Sequence, residues 1–355
     1  MQTLRIDSQS PYRALVGVGG IGTGCFFALE GGETLGRNES RPGRLLDVRD
    51  YCKLHIISHY VAKLLGEFQV YPIGRVGNDS AGRQVVQEMH DVGMDTQFVH
   101  SIEGRPTLFS VCFQYPDGCG GNITTSNSAA AEVCEADVDH AGEILRAQGK
   151  KAIALAAPEV PLQARRRLLE LATETGAFRV ASFVGSEIKA AREMGMFERL
   201  DLVSLNESEA SQLVGRAFSA DTAEDLAGSC QDFLRNCLPK LQMVVSVGAF
   251  GAYAITADSW NFCPAPKVNV ASTAGAGDAL LGGVLAALAA GIPLLRPAHR
   301  HEAVVETALD LGVLLGSYKC QSPHTIHPDA DIAAVLCFAE GRDLKVGPRV
   351  KELLS

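Results

Sequence analysis

The feature that most constrains the fold of this chain is a regular alternation of short apolar runs with longer segments of helical periodicity. Apolar runs of this length, separated by helical segments, are typical of strands in βαβ units. The predicted strands are residues 14–18, 69–73, 152–156, 179–182, 202–205 and 243–247. The predicted helices are residues 55–65, 81–92, 162–175, 207–214, 223–233, 278–290 and 302–315. This alternation predicts a three-layer α/β/α fold, with helices on both faces of a mostly parallel sheet.

Two regions interrupt the alternation. Residues 20–50 are rich in glycine and in charged residues, with strand character only near their start. Residues 104–126 contain two strand-like runs on either side of the turn Tyr115-Pro116-Asp117-Gly118, and Pro-Asp-Gly is a strong turn signal. We expect both regions to form a small β lid, through which a homodimer would assemble. We interpret 1–355 as a single domain, with a C-terminal helix and extension at 328–355.

Charge and composition argue against several classes of protein. The formal net charge is -9, whereas a nucleic-acid surface needs clustered Lys and Arg, so we expect no nucleic-acid partner. The uncharged stretch 279–295 is rich in Ala and Gly and is interrupted by Pro293, which favours a buried helix over a membrane span. The 10 cysteines form no Cys-x-x-Cys pair, and no secretory signal opens the chain. These features indicate reduced thiols and a cytoplasmic location.

The richest local signal is the glycine-containing loop at 270–278, which runs directly into a predicted helix. Gly275 and Gly277 allow the backbone to approach a ligand closely, because no Cβ intervenes. The unpaired N–H groups and the positive dipole end of the helix favour a bound phosphoryl group. Asp278, at the same helix start, is placed to accept a proton from an attacking hydroxyl. The alternative is that Asp278 only stabilises its own helix and that the glycines serve packing.

The residues around this loop resemble those of the ribokinase-like (PfkB-type) carbohydrate kinases. That family carries the motif Asp-Thr-x-Gly-Ala-Gly-Asp before an Ala-rich helix. This chain matches it at Thr273, Gly275, Ala276, Gly277 and Asp278, and departs from it at Ser272. The resemblance implies that Asp278 is the catalytic base and that the N–H groups of 275–277 form the anion hole.

Three further segments follow the family's order. Residues 74–82 resemble its Gly-x-Val-Gly-x-Asp-x-x-Gly segment, although Gly74 and Gly77 also suit a simple turn. Asn206 and Glu209 match its Asn-x-x-Glu motif, which implies that they organise Mg²⁺ through water. The same two residues fit a helix capping box.

The third segment is the family's Thr-x-Gly-x-x-Gly stretch for the nucleotide. It corresponds here to Ser246, Gly248 and Gly251, with Ser in place of Thr. The resemblance implies that these residues lie near the phosphates of ATP, together with Thr273. As an alternative, a serine at a strand end is often only solvated.

The acceptor region departs from the family. Where many members carry Gly-Gly-x-x-x-Asn, this chain reads Arg49-Asp50-Tyr51-Cys52-Lys53-Leu54-His55. Asp50, Lys53 and His55 are candidates for a polar substrate pocket of different chemistry, and Asn38 is a further candidate. The alternative is a solvated loop followed by a helix cap.

One motif points to another class of enzyme. Gly17-Val18-Gly19-Gly20-Ile21-Gly22 satisfies Gly-x-Gly-x-x-Gly after a short strand, as in dinucleotide-binding folds. The sequence that follows is a poor helix and lacks an acidic residue ending a second strand, so we prefer the kinase interpretation. We expect an ATP- and Mg²⁺-dependent enzyme that phosphorylates a sugar or a sugar-containing compound. The alternatives are a nucleoside kinase on the same fold and a kinase-like protein that binds a metabolite without turnover.

Overall fold

The computed structural model describes residues 2–117, 120–216, 223–296 and 304–354. The strands, in chain order, are β1 (Ala14–Val18), β2 (Gly22–Leu29), β3 (Gly43–Asp47), β4 (Gln69–Gly77), β5 (Val99–Ile102), β6 (Leu108–Gln114), β7 (Gly120–Thr124), β8 (Ala152–Ala156), β9 (Phe178–Ser182), β10 (Leu202–Asn206), β11 (Gln242–Ser246), β12 (Gly251–Ile255), β13 (Trp260–Pro264), β14 (Val304–Val305) and β15 (Lys345–Val346). The helices are α1 (Lys53–Leu64), α2 (Ser80–Asp91), α3 (Glu135–Gln148), α4 (Leu162–Thr175), α5 (Ile188–Glu193), α6 (Glu207–Val214), α7 (Ala223–Cys237), α8 (Ala276–Ala289), α9 (Ala308–Lys319), α10 (Ile332–Glu340) and α11 (Pro348–Glu352).

A large sheet has the strand order β13-β12-β11-β10-β9-β8-β1-β4-β5. All neighbouring strands from β11 to β5 are parallel, and β12 and β13 extend that sheet as an antiparallel edge. Successive residues of β1 belong to different cores: Leu15 packs with α1, α8 and α9, whereas Val16 packs with α3 and α4. Both faces of the sheet are therefore covered by helices, and the predicted three-layer α/β/α fold is confirmed.

A second, four-stranded sheet has the order β3-β2-β6-β7. It combines the two regions that interrupt the sequence alternation, since β2 pairs in parallel with β6. β6 and β7 form the predicted antiparallel hairpin, and part of its turn (118–119) lies outside the described residues. That this sheet closes over a substrate as a lid remains a prediction.

The structure supports one interpretation of the sequence and corrects another. The glycine motif at 17–22 leads into strand β2 and not into a helix, so the dinucleotide-binding alternative loses its structural basis. Of the predicted helix at 302–315, residues 302–303 lie outside the described residues, Val304–Val305 is a strand, and the helix itself starts at Ala308. The reason is a capping box: the Thr307 hydroxyl accepts from the Asp310 N–H, and the Asp310 carboxylate accepts from the Thr307 N–H.

Helix α8 is positioned by close contact with its neighbours. A Cβ on Gly283 would lie 2.9 Å from the Cα of Gly312 in α9, so the two helices approach at backbone distance. α8 ends at Ala289 inside the uncharged stretch noted in the sequence. Within the described ranges, no helix combines the length and the apolarity needed to cross a membrane.

Candidate active site

The loop before α8 has a backbone that only glycine accommodates at its last position. Gly275 caps α8 with a φ of 77°, and a Cβ there would lie 2.7 Å from the carbonyl oxygen of Thr325. The sequence predicts an anion hole from three N–H groups, but the N–H of Ala276 donates to the Thr273 carbonyl at 3.1 Å. This turn inside the loop leaves Gly275 and Gly277 as the candidate donors.

A cavity of about 840 Å³ opens beside this loop, at the carboxyl ends of the strands. It is lined by seven of the residues that the sequence singles out: Asn206, Ser246, Gly248, Gly251, Thr273, Ala276 and Gly277. Apolar side chains that the sequence analysis did not identify complete its wall, namely Val268, Val270, Leu280 and Val313. The cavity thus combines polar groups with an apolar wall, a combination typical of small-molecule sites.

The backbone at position 251 requires glycine, independently of any ligand. Its φ is 133°, and a Cβ at this position would collide with the carbonyl oxygen of Cys263 on the neighbouring strand β13. Ser246 ends β11 and Gly248 follows in the turn toward β12, and both line the cavity.

Asn206 and Glu209 form a reciprocal cap at the start of α6. The Asn206 side-chain oxygen accepts from the Glu209 N–H at 2.8 Å, and the Glu209 Oε2 accepts from the Asn206 N–H at 2.8 Å. Burial raises the pKa of Glu209, against the opposing effects of this hydrogen bond and of Lys53. The capping function is therefore present, and the oxygen donors of the pair are of the type that Mg²⁺ and its water ligands prefer.

Asp278 forms an ion pair that the sequence did not predict. Its Oδ1 lies 3.5 Å from Nζ of Lys53, the first residue of α1, with side-chain exposures of 12% and 31%. The Asp278 carboxylate is the main cause of the raised pKa of Lys53, and burial opposes it. Glu209 and Glu159 raise this pKa further, so several carboxylates converge on one ammonium group. The structure thus brings Lys53 to the candidate base.

Glu159 is a candidate site residue that the sequence analysis missed. It is half-buried just after β8, has a φ of 73°, and its Oε2 accepts from the Lys53 N–H at 3.3 Å. Burial raises the pKa of Glu159 to about 7, while Lys53 opposes the rise and Asp278 adds to it. A positive φ at a residue other than glycine is a strained conformation that often marks a functional position. The sequence shows only an acidic residue three positions after the end of β8, which does not by itself indicate a site.

Asp50 lies at the joint between the four-stranded sheet and α1. Its Oδ2 accepts from the hydroxyl of Ser110 and from the thiol of Cys112, both at 2.9 Å and both on β6. Burial raises the pKa of Asp50, these two hydrogen bonds lower it, and the neighbouring carboxylates Asp47 and Asp278 raise it. The side chain is therefore fixed by the small sheet and lies near the candidate base.

The structure does not bring His55 or Asn38 to the ion pair of Asp278 and Lys53. The His55 ring is 1% exposed and lies 4.5 Å from the ring of Tyr51 and 6.3 Å from that of His59. Burial lowers the pKa of His55 to about 3, so the ring is neutral. Two residues along a helix lie on different faces, which separates His55 from Lys53. Asn38 is exposed in the connection between β2 and β3.

The segment after α9, which contains His324 and Thr325, contacts both the loop before α8 and the residues around β3 and α1. The Thr325 hydroxyl donates to the Arg49 carbonyl at 3.2 Å and accepts from the Tyr51 N–H at 3.1 Å. Nδ1 of His324 lies 3.0 Å from Oδ1 of Asp47, the last residue of β3. This segment therefore connects the loop before α8 with the four-stranded sheet.

The chain is similar to known sugar kinases in sequence. It is 29% identical to the ATP-dependent 6-phosphofructokinase isozyme 2 of Escherichia coli (strain K12) over 132 residues, which cover 37% of this chain and 41% of that protein. It is 25% identical to fructokinase-1 of Zea mays over 222 residues, 60% of this chain and 66% of that protein. The matched region is thus less than half of the bacterial relative.

A comparison of structures and a family-wide sequence pattern agree with these pairwise similarities. A ribokinase from Cryptococcus neoformans var. grubii serotype A, solved in complex with ADP, superposes with a TM-score of 0.75 at 19% identity, covering 92% of this chain and 99% of that one. The sequence pattern of the pfkB family carbohydrate kinases matches residues 58–332, which include α1 from its sixth residue, the large sheet from β4 onward and the loop before α8. The chain therefore belongs to the PfkB family of carbohydrate kinases.

Proposed function

We infer that this protein transfers the γ-phosphoryl group of ATP to a hydroxyl of a sugar or a sugar-containing small molecule. The observation that carries the proposal is the first turn of α8. There Ala276 and Gly277 line the large cavity, while Asp278 is paired with Lys53. One helix start can thus face a nucleotide on one side and an acceptor on the other, as in-line transfer requires.

The cavity suits a nucleoside triphosphate. Its apolar wall, which includes Val268 and Val313, is suited to a purine base. The phosphates would extend toward Ser246, Thr273 and the N–H groups of Gly275 and Gly277, where the positive end of the α8 dipole favours negative charge. A ribokinase of the same fold was solved with ADP, which supports this use of the cavity.

Asn206 and Glu209 would hold Mg²⁺ through water and through the phosphates. When bound, the ion would neutralise charge on the phosphates during transfer. Glu209 is 8% exposed and fixed by its cap, so a water on its carboxylate would have a defined position. Outside the ranges left undescribed, no group of three or more His, Cys, Asp or Glu side chains is arranged to hold a metal directly.

Asp278 would act as the general base. Its carboxylate would accept the proton of the acceptor hydroxyl as the hydroxyl oxygen attacks the γ-phosphorus. Lys53 would orient this carboxylate through the 3.5 Å ion pair. Glu159 and Asp50 would contact other hydroxyls of the acceptor, since carboxylates accept hydrogen bonds from sugar hydroxyls.

A second copy of the chain is the partner that the small sheet suggests. The sheet carries large apolar side chains that are at least 41% exposed: Leu45, Phe109 and Ile123. Exposed apolar side chains grouped on one sheet are typical of an interaction surface. Ile123→Glu should therefore convert a dimer to a monomer in sedimentation velocity. A wild-type chain that sediments as a monomer at tens of micromolar would contradict this assembly.

The reaction is tested with ATP, Mg²⁺ and a panel of neutral sugars, phosphorylated sugars and nucleosides, with ADP release and the phosphorylated product both measured. A sugar product supports the proposal, and turnover of nucleosides alone supports the nucleoside kinase. Binding of AMP-PNP without any acceptor-dependent product would favour the silent binding protein. Failure to bind AMP-PNP at millimolar concentration with Mg²⁺ would refute ATP use.

A further inference from the structure

Lys319, the last residue of α9, is a buried cation that the mechanism above does not use. The residue is 0% exposed, and its Nζ donates to the carbonyl oxygen of Ser272 at 3.0 Å. This hydrogen-bond acceptor is a backbone carbonyl and not a carboxylate. A buried ammonium group costs considerable desolvation free energy. We therefore expect this charge to have a role in the surrounding loop.

The carbonyl that Lys319 binds belongs to the loop that leads into α8. Ser272 is itself 0% exposed, and its hydroxyl accepts from the Ala274 N–H at 3.2 Å. The N–H groups of Ala271 and Ser272 also donate to the carbonyl of Cys320, the residue after Lys319, at 2.8 and 3.3 Å. The end of α9 therefore holds the loop by its backbone on both sides of the Ser272 peptide, three residues before Gly275.

The charge state of Lys319 depends on opposing influences. Burial lowers the pKa of Lys319 to about 8, whereas electrostatic interactions with groups on three segments raise it. The carboxylates among these groups are Asp47 and Asp50 beside the small sheet and Asp278 on α8, and the fourth group is Cys320, whose own thiol pKa is raised by burial. His327 also interacts with it electrostatically. Near neutral pH the side chain is thus mainly an ammonium ion.

We propose that Lys319 is a positioning residue for phosphoryl transfer: its ammonium group is an internal cation, tethered by the chain, that fixes the Ser272 carbonyl and thereby the N–H groups of Gly275 and Gly277. The proposal rests on the proposed function, because it assigns these N–H groups to the transferring phosphoryl group. Since the cation is covalently attached, the loop keeps its shape without an added monovalent ion. A misplacement of about 1 Å at such a site costs up to roughly a hundredfold in rate.

Two substitutions separate charge from packing. Lys319→Met keeps the length of the side chain but removes the charge, and Lys319→Ala leaves a space next to the Ser272 carbonyl. Both variants should transfer phosphate about 10- to 100-fold more slowly than wild type. Potassium, ammonium or methylammonium at tens of millimolar should restore the alanine variant by at least fivefold and leave the methionine variant unchanged, because its site is filled. Wild type should respond to none of them at constant ionic strength.

The pH dependence gives a readout that a purely structural role would not produce. Transfer by wild type should fall as pH rises through about 8, where the pKa of Lys319 lies, and this fall should be absent in Lys319→Met. Stability should change in the opposite direction. The pKa is lowered in the folded state, so the unfolded chain binds more protons between pH 8 and the ordinary lysine pKa of about 10.5, and the stability of wild type relative to Lys319→Met should rise across this range.

The outcomes distinguish this inference from the proposed function. If wild type neither binds AMP-PNP nor transfers phosphate, the proposed function is wrong and Lys319 has no reaction to support. If wild type turns over but Lys319→Met matches it in rate and pH profile, the inference is wrong. Should neither variant fold, wild type alone decides: a transfer rate that stays constant up to pH 9.5, or a rate that potassium raises severalfold, overturns the proposal.

Discussion

The proposed nucleotide side and the proposed acceptor side of α8 are built in different ways. On the nucleotide side the groups that matter are largely backbone N–H groups and glycines within short segments, such as 273–277 and 246–251. On the acceptor side they are side chains from separate elements: Lys53 of α1, Glu159 after β8 and Asp278 of α8. The first construction depends on local backbone shape and the second on long-range packing and charge. The two sides should therefore respond differently to substitution.

The strongest test of this difference is Asp278→Asn. Loss of a general base should lower kcat by roughly 10²- to 10⁴-fold, because the amide cannot take the proton of the acceptor hydroxyl. AMP-PNP affinity, measured by calorimetry, should change less than about threefold, since the nucleotide side relies on backbone groups. Asp258→Asn, at an exposed turn, is the matched control. A variant with near-normal turnover on a verified acceptor would mean that another group is the base.

The next largest effect is expected for Lys53→Met. Hydrogen bonds to charged groups contribute about 1.5–3 kcal/mol, so losing this ammonium should lower kcat/KM by about ten- to a hundredfold. Because Lys53 is paired with Asp278, the loss should appear with neutral and acidic acceptors alike and mainly in kcat. Lys63→Met, at the other end of α1, is the control. An effect restricted to acidic acceptors would instead identify Lys53 as a substrate contact.

The nucleotide side is tested by a pair of glycines. Gly275→Ala places a Cβ 2.7 Å from the Thr325 carbonyl at positive φ, a strain of about 1–3 kcal/mol, so thermal stability should drop by several degrees. A Cβ on Gly277 meets no described atom within 4 Å, so Gly277→Ala should keep its stability. That Cβ lies at the cavity wall, and AMP-PNP affinity should fall about tenfold. Equal stability losses in both variants would show that Gly277 also serves packing.

The smallest effect is expected for Glu159→Gln, and it depends on pH. With a pKa of about 7 in the folded protein, Glu159 ionises as pH rises through neutrality, and kcat/KM for a polyhydroxyl acceptor should rise about two- to fivefold over this range. Stability should fall between about pH 4.5 and 7, because the folded state then binds more protons than the unfolded chain. The glutamine variant should show neither trend. Superimposable profiles for the two proteins would place Glu159 outside the acceptor pocket.

The sequence predicted the main elements of the large sheet closely because these strands are buried on both faces. The bounds of β1, β8, α4 and α6 agree with the prediction residue by residue. The antiparallel edge strands β12 and β13 were not identified, since they carry no helical partner in the sequence rhythm.

The candidate site also contains residues that the sequence could identify and residues that it could not. Thr273 and Gly277, which line the cavity, could be singled out because they match a local motif of the family, and the motif is readable without knowing the fold. Glu159 could not, because its importance comes from contacts with Lys53, 106 residues away along the chain. His55 was included because it is close to Lys53 in sequence, although helical geometry directs the two side chains to different faces.

The position of β1 has a consequence for how the protein is made. This strand precedes both of its neighbours in the chain, yet in the finished sheet it lies between β4 and β8, with Ala14 opposite Gln69 on one side and Ala152 on the other. Synthesis proceeds at about 5–20 residues per second, so several seconds pass before the second neighbour of β1 exists. Until then one edge of an apolar strand is open to other chains, which is a hazard of slow, non-local sheets. The yield of folded protein in cells should therefore depend on chaperones that act on the nascent chain before β8 has been made.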